Sequence, residues 1–316
     1  MMNYTQALEQ IQQLKIGNSF SDMEGLCEEI GIDNVIFIPK DYEYDLISAY
    51  VEAILKEHKF HVGRYTEYAL NSPLGRILFD KKAISQKDFA KYTENVIDEG
   101  IYVEELYIKV ALLYFKDKNL DFVILPSDKE KDFEKIEEKF RERVITELDK
   151  TSGDVAVELL RDKQVDLKAN LIEKAINKCN KDGKFELLKK RPYYIADGAD
   201  DEKSVRILMG KLQYYYPENN YIFIVGTCKK NYERLVRESA LMASHIITVT
   251  PPENLSAIQA MELAKEYLKL NPNITNASGM EEALEIAGIL ADKETVVVAF
   301  GSHLIIEKFR QQIKKK

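Results

Sequence analysis

The chain has 316 residues, 45% hydrophobic and 31% charged, with a formal net charge of −8. That length exceeds the usual size of one hydrophobic core, so two domains are expected, and the low Pro and Gly content excludes long disordered arms. The acidic balance excludes general attraction to nucleic acid or an anionic membrane, so neither is expected as a partner.

No apolar run approaches the roughly 20 residues needed to span a bilayer. Cys27, Cys179 and Cys228 are odd in number and widely spaced, with neither a disulfide framework nor a zinc spacing. Met1-Met2-Asn3-Tyr4 leads straight into an amphipathic pattern rather than a targeting segment. A reducing cytoplasm is the expected location.

From Tyr4 to about Ile30, the residues Ala7, Ile11 and Leu14, then Met23, Leu26, Cys27 and Ile30, recur at helical spacing, broken by Gly17-Asn18. Val35-Ile36-Phe37-Ile38, closed by Pro39, is a buried strand. Ile47 to Lys56 is helical, with Ile47, Tyr50, Val51 and Ile54 on one face. Shorter strands are expected at His61–Tyr65 and Arg76–Phe79. Ser85 caps a helix through Ile97, with Asp88 three places on completing a capping box. A helix from about Glu104 to Lys116 feeds the buried strand Leu120–Leu125. Strands alternating with helices imply a mostly parallel sheet.

Between Ser127 and Lys150 the chain is very charged, yet Phe133, Ile136, Phe140, Val144 and Leu148 keep a helical stripe. Helices at Val155–Leu160 and Leu171–Asn177 lead to Asn180-Lys181-Asp182-Gly183, where the domain boundary falls: residues 1–179, then 180–316. Beyond it the predicted strands are Tyr193–Ala196, Tyr221–Val225, His245–Val249 and Thr295–Ala299, with a weaker one near Asn273–Asn276. Helices are expected at about Lys203–Tyr215, Tyr232–Ala243, Ser256–Leu268, Met280–Leu290 and His303–Lys314. This alternation defines a doubly wound, Rossmann-like α/β domain, and nothing in it repeats at a fixed period. The basic tail Lys314-Lys315-Lys316 suits the negative end of the last helix.

Catalytic motifs are missing. His58, His61, His245 and His303 lie apart, and there is no Gly-x-Ser-x-Gly elbow, Cys-x-x-Cys pair or His-Glu-x-x-His helix. The acids Asp197, Asp200, Asp201 and Glu202 follow a strand and open a helix, where they serve as caps and first-turn acids without needing a metal. Tyr214-Tyr215-Tyr216-Pro217 closes a helix as a packed corner.

Several segments, in order along the chain, resemble the folylpolyglutamate synthases, a branch of the Mur-ligase superfamily. Near the C-terminus, Phe300-Gly301-Ser302-His303-Leu304 is similar to the family's Thr-Gly-Ser-Leu-Tyr ending. Asp197-Gly198-Ala199-Asp200-Asp201-Glu202 resembles its Asp-Gly-Ala-His-Asn-Pro, and Cys228-Lys229-Lys230 its Lys-Asp-Lys. Lys181-Asp182-Gly183-Lys184 stands where members carry a Trp-Pro-Gly-Arg-like turn. Earlier, Met2–Leu8 resembles the family's first helix, and Val62-Gly63-Arg64-Tyr65-Thr66 its Val-Gly-x-Phe-Thr.

The resemblance implies two α/β domains: a reduced, P-loop-NTPase-like Mur-ligase central domain and a Rossmann-like C-terminal domain. It also implies where ATP chemistry would sit, and there the chain departs. The phosphate-loop segment, Pro39-Lys40-Asp41-Tyr42-Glu43-Tyr44-Asp45-Leu46, contains no glycine, and Tyr44 stands at the position of the phosphate-binding lysine. Such a loop needs glycines for close backbone approach, a lysine for the phosphates and a Ser/Thr for magnesium. The family's acidic, glycine-rich turn is replaced by Pro126-Ser127-Asp128-Lys129-Glu130-Lys131-Asp132.

The expectation is therefore a member that has lost ATP-dependent ligation, with no catalytic or metal-binding residues and no cofactor. Lys184, Asp197 and Lys230 remain as residual cofactor-binding positions. Its partner would be a small acidic ligand or another protein. The alternative is a divergent ATP- and Mg-dependent acid–amino-acid ligase with a rearranged nucleotide site.

Overall fold

The computed structural model describes residues 2–15, 23–40, 44–67, 69, 72–97, 100–127, 148–179, 182–252, 254 and 256–315. The charged stripe from Ser127 to Lys150 falls almost wholly outside them, as do Asp41-Tyr42-Glu43 and Asp128 to Asp132. The chain divides into two compact units. One is formed by Met1–Arg143 with Asp149–Asn180, the other essentially by Lys181–Lys316.

The first unit has a five-stranded sheet. Its strands are β1 (Val35–Pro39), β2 (Val62–Tyr65), β3 (Ile77–Phe79), β4 (Lys82–Ala83) and β5 (Phe122–Ser127), in the order β1-β5-β2-β3-β4. The central pairs β1–β5 and β5–β2 are parallel, whereas β2–β3 and β3–β4 are antiparallel. The sheet is thus less parallel than the strand–helix alternation implies. The extra antiparallel pair comes from a tight turn at Asp80-Lys81, both at positive φ (51° and 67°), as two-residue hairpin turns require. Neither residue is the Gly or Asn that would have announced it.

Helices cover both faces. α1 (Tyr4–Gln12), α2 (Met23–Ile30), α4 (Gln86–Val96) and α5 (Val103–Lys116) pack with Val35, Val123 and Leu125 of the strands. On the opposite face α3 (Tyr44–Glu57), α6 (Leu148–Asp162) and α7 (Ala169–Lys178) pack with Ile36, Ile38 and Ile124. Successive strand residues enter opposite cores, which is why β1 and β5 are unbroken apolar runs rather than alternating ones. Ser85 accepts from the Asp88 backbone N–H at 3.0 Å and so starts α4 where the sequence places it. Asn3 and Gln6 form a reciprocal capping box at α1.

The second unit has a six-stranded sheet. Its strands are β6 (Glu186–Lys189), β7 (Tyr193–Ala196), β8 (Tyr221–Val225), β9 (His245–Thr248), β10 (Ile274–Asn276) and β11 (Val296–Phe300), in the order β10-β9-β8-β11-β7-β6. All neighbours are parallel except β6 with β7. The helices are α8 (Glu202–Tyr215), α9 (Tyr232–Ser239), α10 (Ala260–Tyr267), α11 (Met280–Leu290) and α12 (His303–Lys315). Strand β6 is an element that periodicity misses, because its inward and outward residues, Glu186-Leu187-Leu188-Lys189, do not alternate in polarity. Helix α10 starts four residues later than its apolar spacing suggests. Thr250 Oγ1 accepts the Ala260 N–H, and the Ala260 carbonyl accepts from Thr248 Oγ1, each at 2.9 Å, which fixes the helix start.

The carboxyl ends of β9, β8 and β11 approach too closely for side chains. A Cβ at Gly226 would lie 2.5 Å from the Val249 carbonyl oxygen; one at Gly301 would lie 2.7 Å from that of Gly226. Gly301 also has φ +104°, a conformation that disfavours any other residue. Gly301→Ala is expected to destabilise the protein by about 3 kcal/mol, combining backbone strain with a forced separation of the strands. Denaturant unfolding checks this, and a change within about 0.5 kcal/mol, as for an ordinary surface site, would contradict it.

Candidate functional site

Ligands in open α/β sheets sit outside the carboxyl ends of the parallel strands. In the first unit those ends bring together Lys40 after β1, Thr66 and Glu67 after β2, Ser127 at the end of β5, and the first turn of α3. Chain geometry draws them close: the Lys40 N–H donates to the Ser127 carbonyl at 2.9 Å.

The first turn of α3 is filled by the protein's own groups. Tyr44 is 1% exposed, and its hydroxyl donates to the Tyr65 carbonyl. Burial pushes the Tyr44 phenol well above its ordinary pKa, with the neighbouring Asp45 carboxylate adding to the effect. Asp45 Oδ1 accepts from Thr66 Oγ1 at 2.6 Å. A carboxylate in the first turn complements the positive end of the helix dipole, the same charge that would otherwise attract a phosphate.

Two further ion pairs lock this edge. Arg64 Nε donates to Glu52 Oε2 at 2.9 Å, and its guanidinium also reaches Ser48 Oγ at 3.3 Å. Glu52 Oε1 in turn accepts the Lys81 backbone N–H at 2.9 Å. This fully engaged carboxylate is 2% exposed, which only a paired charge tolerates. Arg76 donates to Tyr65 Oη and to Glu104, and its guanidinium lies 4.1 Å from the centre of the Tyr107 ring. Burial alone would lower the Arg76 pKa; Tyr65 and Glu104 outweigh it and raise it. Arg64 fills the variable position of the Val-Gly-x-Phe-Thr-like segment, and Glu52, Arg76 and Glu104 belong to no motif in the sequence; Glu52 lies within α3 and Glu104 in the first turn of α5.

Lys40 and Glu67 form a further pair, 3.6 Å apart. Burial raises the Glu67 pKa against the opposing pull of Lys40.

In the second unit the corresponding strand ends carry Asp197, Thr227 and Gly301. Asp197 is buried, and its carboxylate accepts from the backbone N–H groups of Phe185 and Ala199, both at 2.8 Å. The Gly198 N–H donates to the Gly183 carbonyl at 2.8 Å, so the two turns are tied to each other. The Lys184 Nζ lies 3.9 Å from where a Gly198 Cβ would be. The structure thus brings Lys184 and Asp197 to one place. Lys230 is exposed, and no hydrogen bond or ion pair joins it to either among the described residues. Its neighbour Lys229, also exposed, has its Nζ 3.4 Å from Asp200. Burial raises the Asp200 pKa, and Lys229 opposes the rise.

The remaining acids have structural partners. Asp201 caps α8 in a reciprocal box with Ser204, and Glu202 pairs with Arg206 at 3.0 Å. Among the described residues no group of three or more His, Cys, Asp and Glu is placed to hold a metal ion. His58 uses both ring nitrogens, Nδ1 against the Ile54 carbonyl at 2.8 Å and Nε2 accepting the Lys168 N–H at 2.9 Å. Tyr216 stacks near Tyr193, with ring centres 5.0 Å apart, in the expected packed corner, while Tyr214 stays half exposed.

No family model matches the chain, and no curated protein does. Solved structures do match. The bifunctional folylpolyglutamate synthase/dihydrofolate synthase of Yersinia pestis, complexed with AMPPNP and Mn, aligns with a TM-score of 0.79 at 15% identity, covering 99% of this chain and 98% of that one. The folylpolyglutamate synthase of Thermotoga maritima aligns at 0.75 and 16% identity, covering 98% and 96%. That of Mycobacterium tuberculosis, complexed with ADP and AMPPCP, aligns at 0.78 and 13%, covering 98% and 96%. The chain has the fold found in these folylpolyglutamate synthases. At such identities the likeness is one of fold, and function rests on the sites placed upon it.

The Glu67 pKa gives a pH test of the edge. A carboxyl that holds its proton more tightly when folded costs stability when ionised, so that cost disappears as pH falls through the raised value. Glu67→Gln is therefore expected to be more stable than wild type near neutral pH, with the advantage fading on acidification. Urea unfolding of both proteins across this range checks the sign, and an advantage that grows at low pH would contradict it.

Proposed function

We propose that this protein keeps the folylpolyglutamate synthase fold without ATP-dependent ligation, and acts by binding a small acidic ligand or a protein partner. The observation that carries this reading is Tyr44. A buried phenol donating to the Tyr65 carbonyl stands where the resemblance puts a phosphate-binding lysine. Asp45 adds negative charge at the helix end that a phosphate would need. Phosphoryl transfer relies on positioned N–H groups, a lysine and Mg²⁺, and removing one such donor typically costs about 2.7–4 kcal/mol of transition-state stabilisation. Substituting several together opposes the reaction, and no step through ATP is derived for these residues.

The alternative reading, an acid–amino-acid ligase with a rearranged nucleotide site, draws on the neighbours, among them structures complexed with ADP or ATP analogues. It would use ATP and Mg²⁺. We place the protein in the cytoplasm, consistent with three free cysteines and with the lack of any helix, among the described residues, long and apolar enough to cross a membrane.

Thermal unfolding with and without millimolar Mg-ATP separates the readings. A ligand held by the native state at a hundred times its dissociation constant adds about 2.7 kcal/mol of stability. The binding reading expects no shift; a clear upward shift would favour the ligase.

A further inference from the structure

A groove of about 460 Å³ opens in the second unit, lined by Lys189, Tyr194, Leu284, Glu285, Gly288, Ile289 and Ile313. Lys189 pairs with Tyr194 where β6 meets the start of β7, so the groove lies at the opposite end of β7 from Asp197. It is separate from the strand ends described above. Its volume falls in the range of small-molecule sites, and it is an open groove that combines apolar side chains with Lys189, Glu285 and the Tyr194 ring.

Two features suggest that the groove is kept open for a ligand. Gly288 sits inside α11, where glycine costs about 1 kcal/mol relative to alanine. A Cβ there would meet no atom within 4 Å, so packing does not demand the glycine, and the position opens on free space beside the groove. Beside it Ile289 is 83% exposed, an apolar side chain left in water at the groove.

Charge decides what fits. Lys189 has no ion-pair partner among the described residues, and its ammonium lies 5.5 Å from the centre of the Tyr194 ring. Lys190 and Arg191 follow it directly, and Lys315 ends α12, whereas Lys314 is already paired with Glu186 at 3.4 Å. Glu285 is the one acidic lining residue, and it is solvent-exposed. An apolar floor beside a cationic turn is complementary to an amphipathic anion.

We propose that this groove binds a small fatty-acid-like carboxylate, its chain along Leu284, Gly288, Ile289 and Ile313 and its head at Lys189. Calorimetric titration of the full chain with decanoate, below its micelle concentration, tests this. Wild type is expected to bind at one saturable site. Gly288→Leu fills the groove while improving helix propensity; it should weaken binding at least about tenfold, equivalent to roughly 1.4 kcal/mol. Lys189→Gln should weaken it about threefold or more, as losing one exposed charge partner does, and it decides the matter if Gly288→Leu does not fold.

Absence of saturable binding would overturn the proposal, as would equal affinity in wild type and both variants. Binding to vesicles of anionic phospholipid without binding to decanoate would assign the face to a membrane surface instead. A change in sedimentation on Gly288→Leu would assign it to a second copy of the chain.

Discussion

The contact on which the first unit's polar edge depends is the bond from the Tyr44 hydroxyl to the Tyr65 carbonyl. It joins the first turn of α3 to the end of β2, two elements whose separation would otherwise define a ligand crevice. Around it Asp45 holds Thr66, Glu52 holds Arg64, and Glu104 holds Arg76. Each charged group has a partner on a neighbouring element, as buried charge requires. A buried carbonyl left without its donor costs about 1–3 kcal/mol, so this edge is maintained by its own hydrogen bonds.

The second unit solves a related problem differently. Its strand ends are held by backbone: the Asp197 carboxylate takes two N–H groups, Gly226 lets the end of β8 approach Val249 after β9, and Gly301 lets β11 approach β8. The turn resembling the family's Asp-Gly-Ala owes its form to these requirements. Its persistence is therefore explained by folding as fully as by ligand binding. Asp200 and Lys229 answer each other at the same end, so one unit's strand ends show packed backbone and the other's a network of side chains.

Much of this architecture was legible because its signals are local. The runs Val35–Ile38, Tyr221–Val225 and Thr295–Ala299 are apolar on both faces, and the helices between them carry clear stripes. Gly301 and Asp197-Gly198-Ala199 pointed to the fold through a resemblance borne out by the solved structures at the level of fold. What escaped was set by long-range contact. The β3–β4 hairpin turns on Asp80-Lys81, where Lys81 stands in place of the usual glycine, and β6 has no alternation to announce it. At the polar edge, Arg76 meets Glu104 across 28 positions of sequence, which no motif spacing encodes. Adjacency alone does not tell the surroundings of Lys229 and Lys230 apart; of the two, Lys229 lies 3.4 Å from Asp200.

The most direct test of this account is ADP release by the purified protein given Mg-ATP, glutamate and a folate-type acid. The account predicts release no faster than a no-enzyme control, whichever acid or amino acid is supplied. Release that depends on both the acid and the amino acid would contradict it, and would show that the Tyr44 edge accommodates a nucleotide after all.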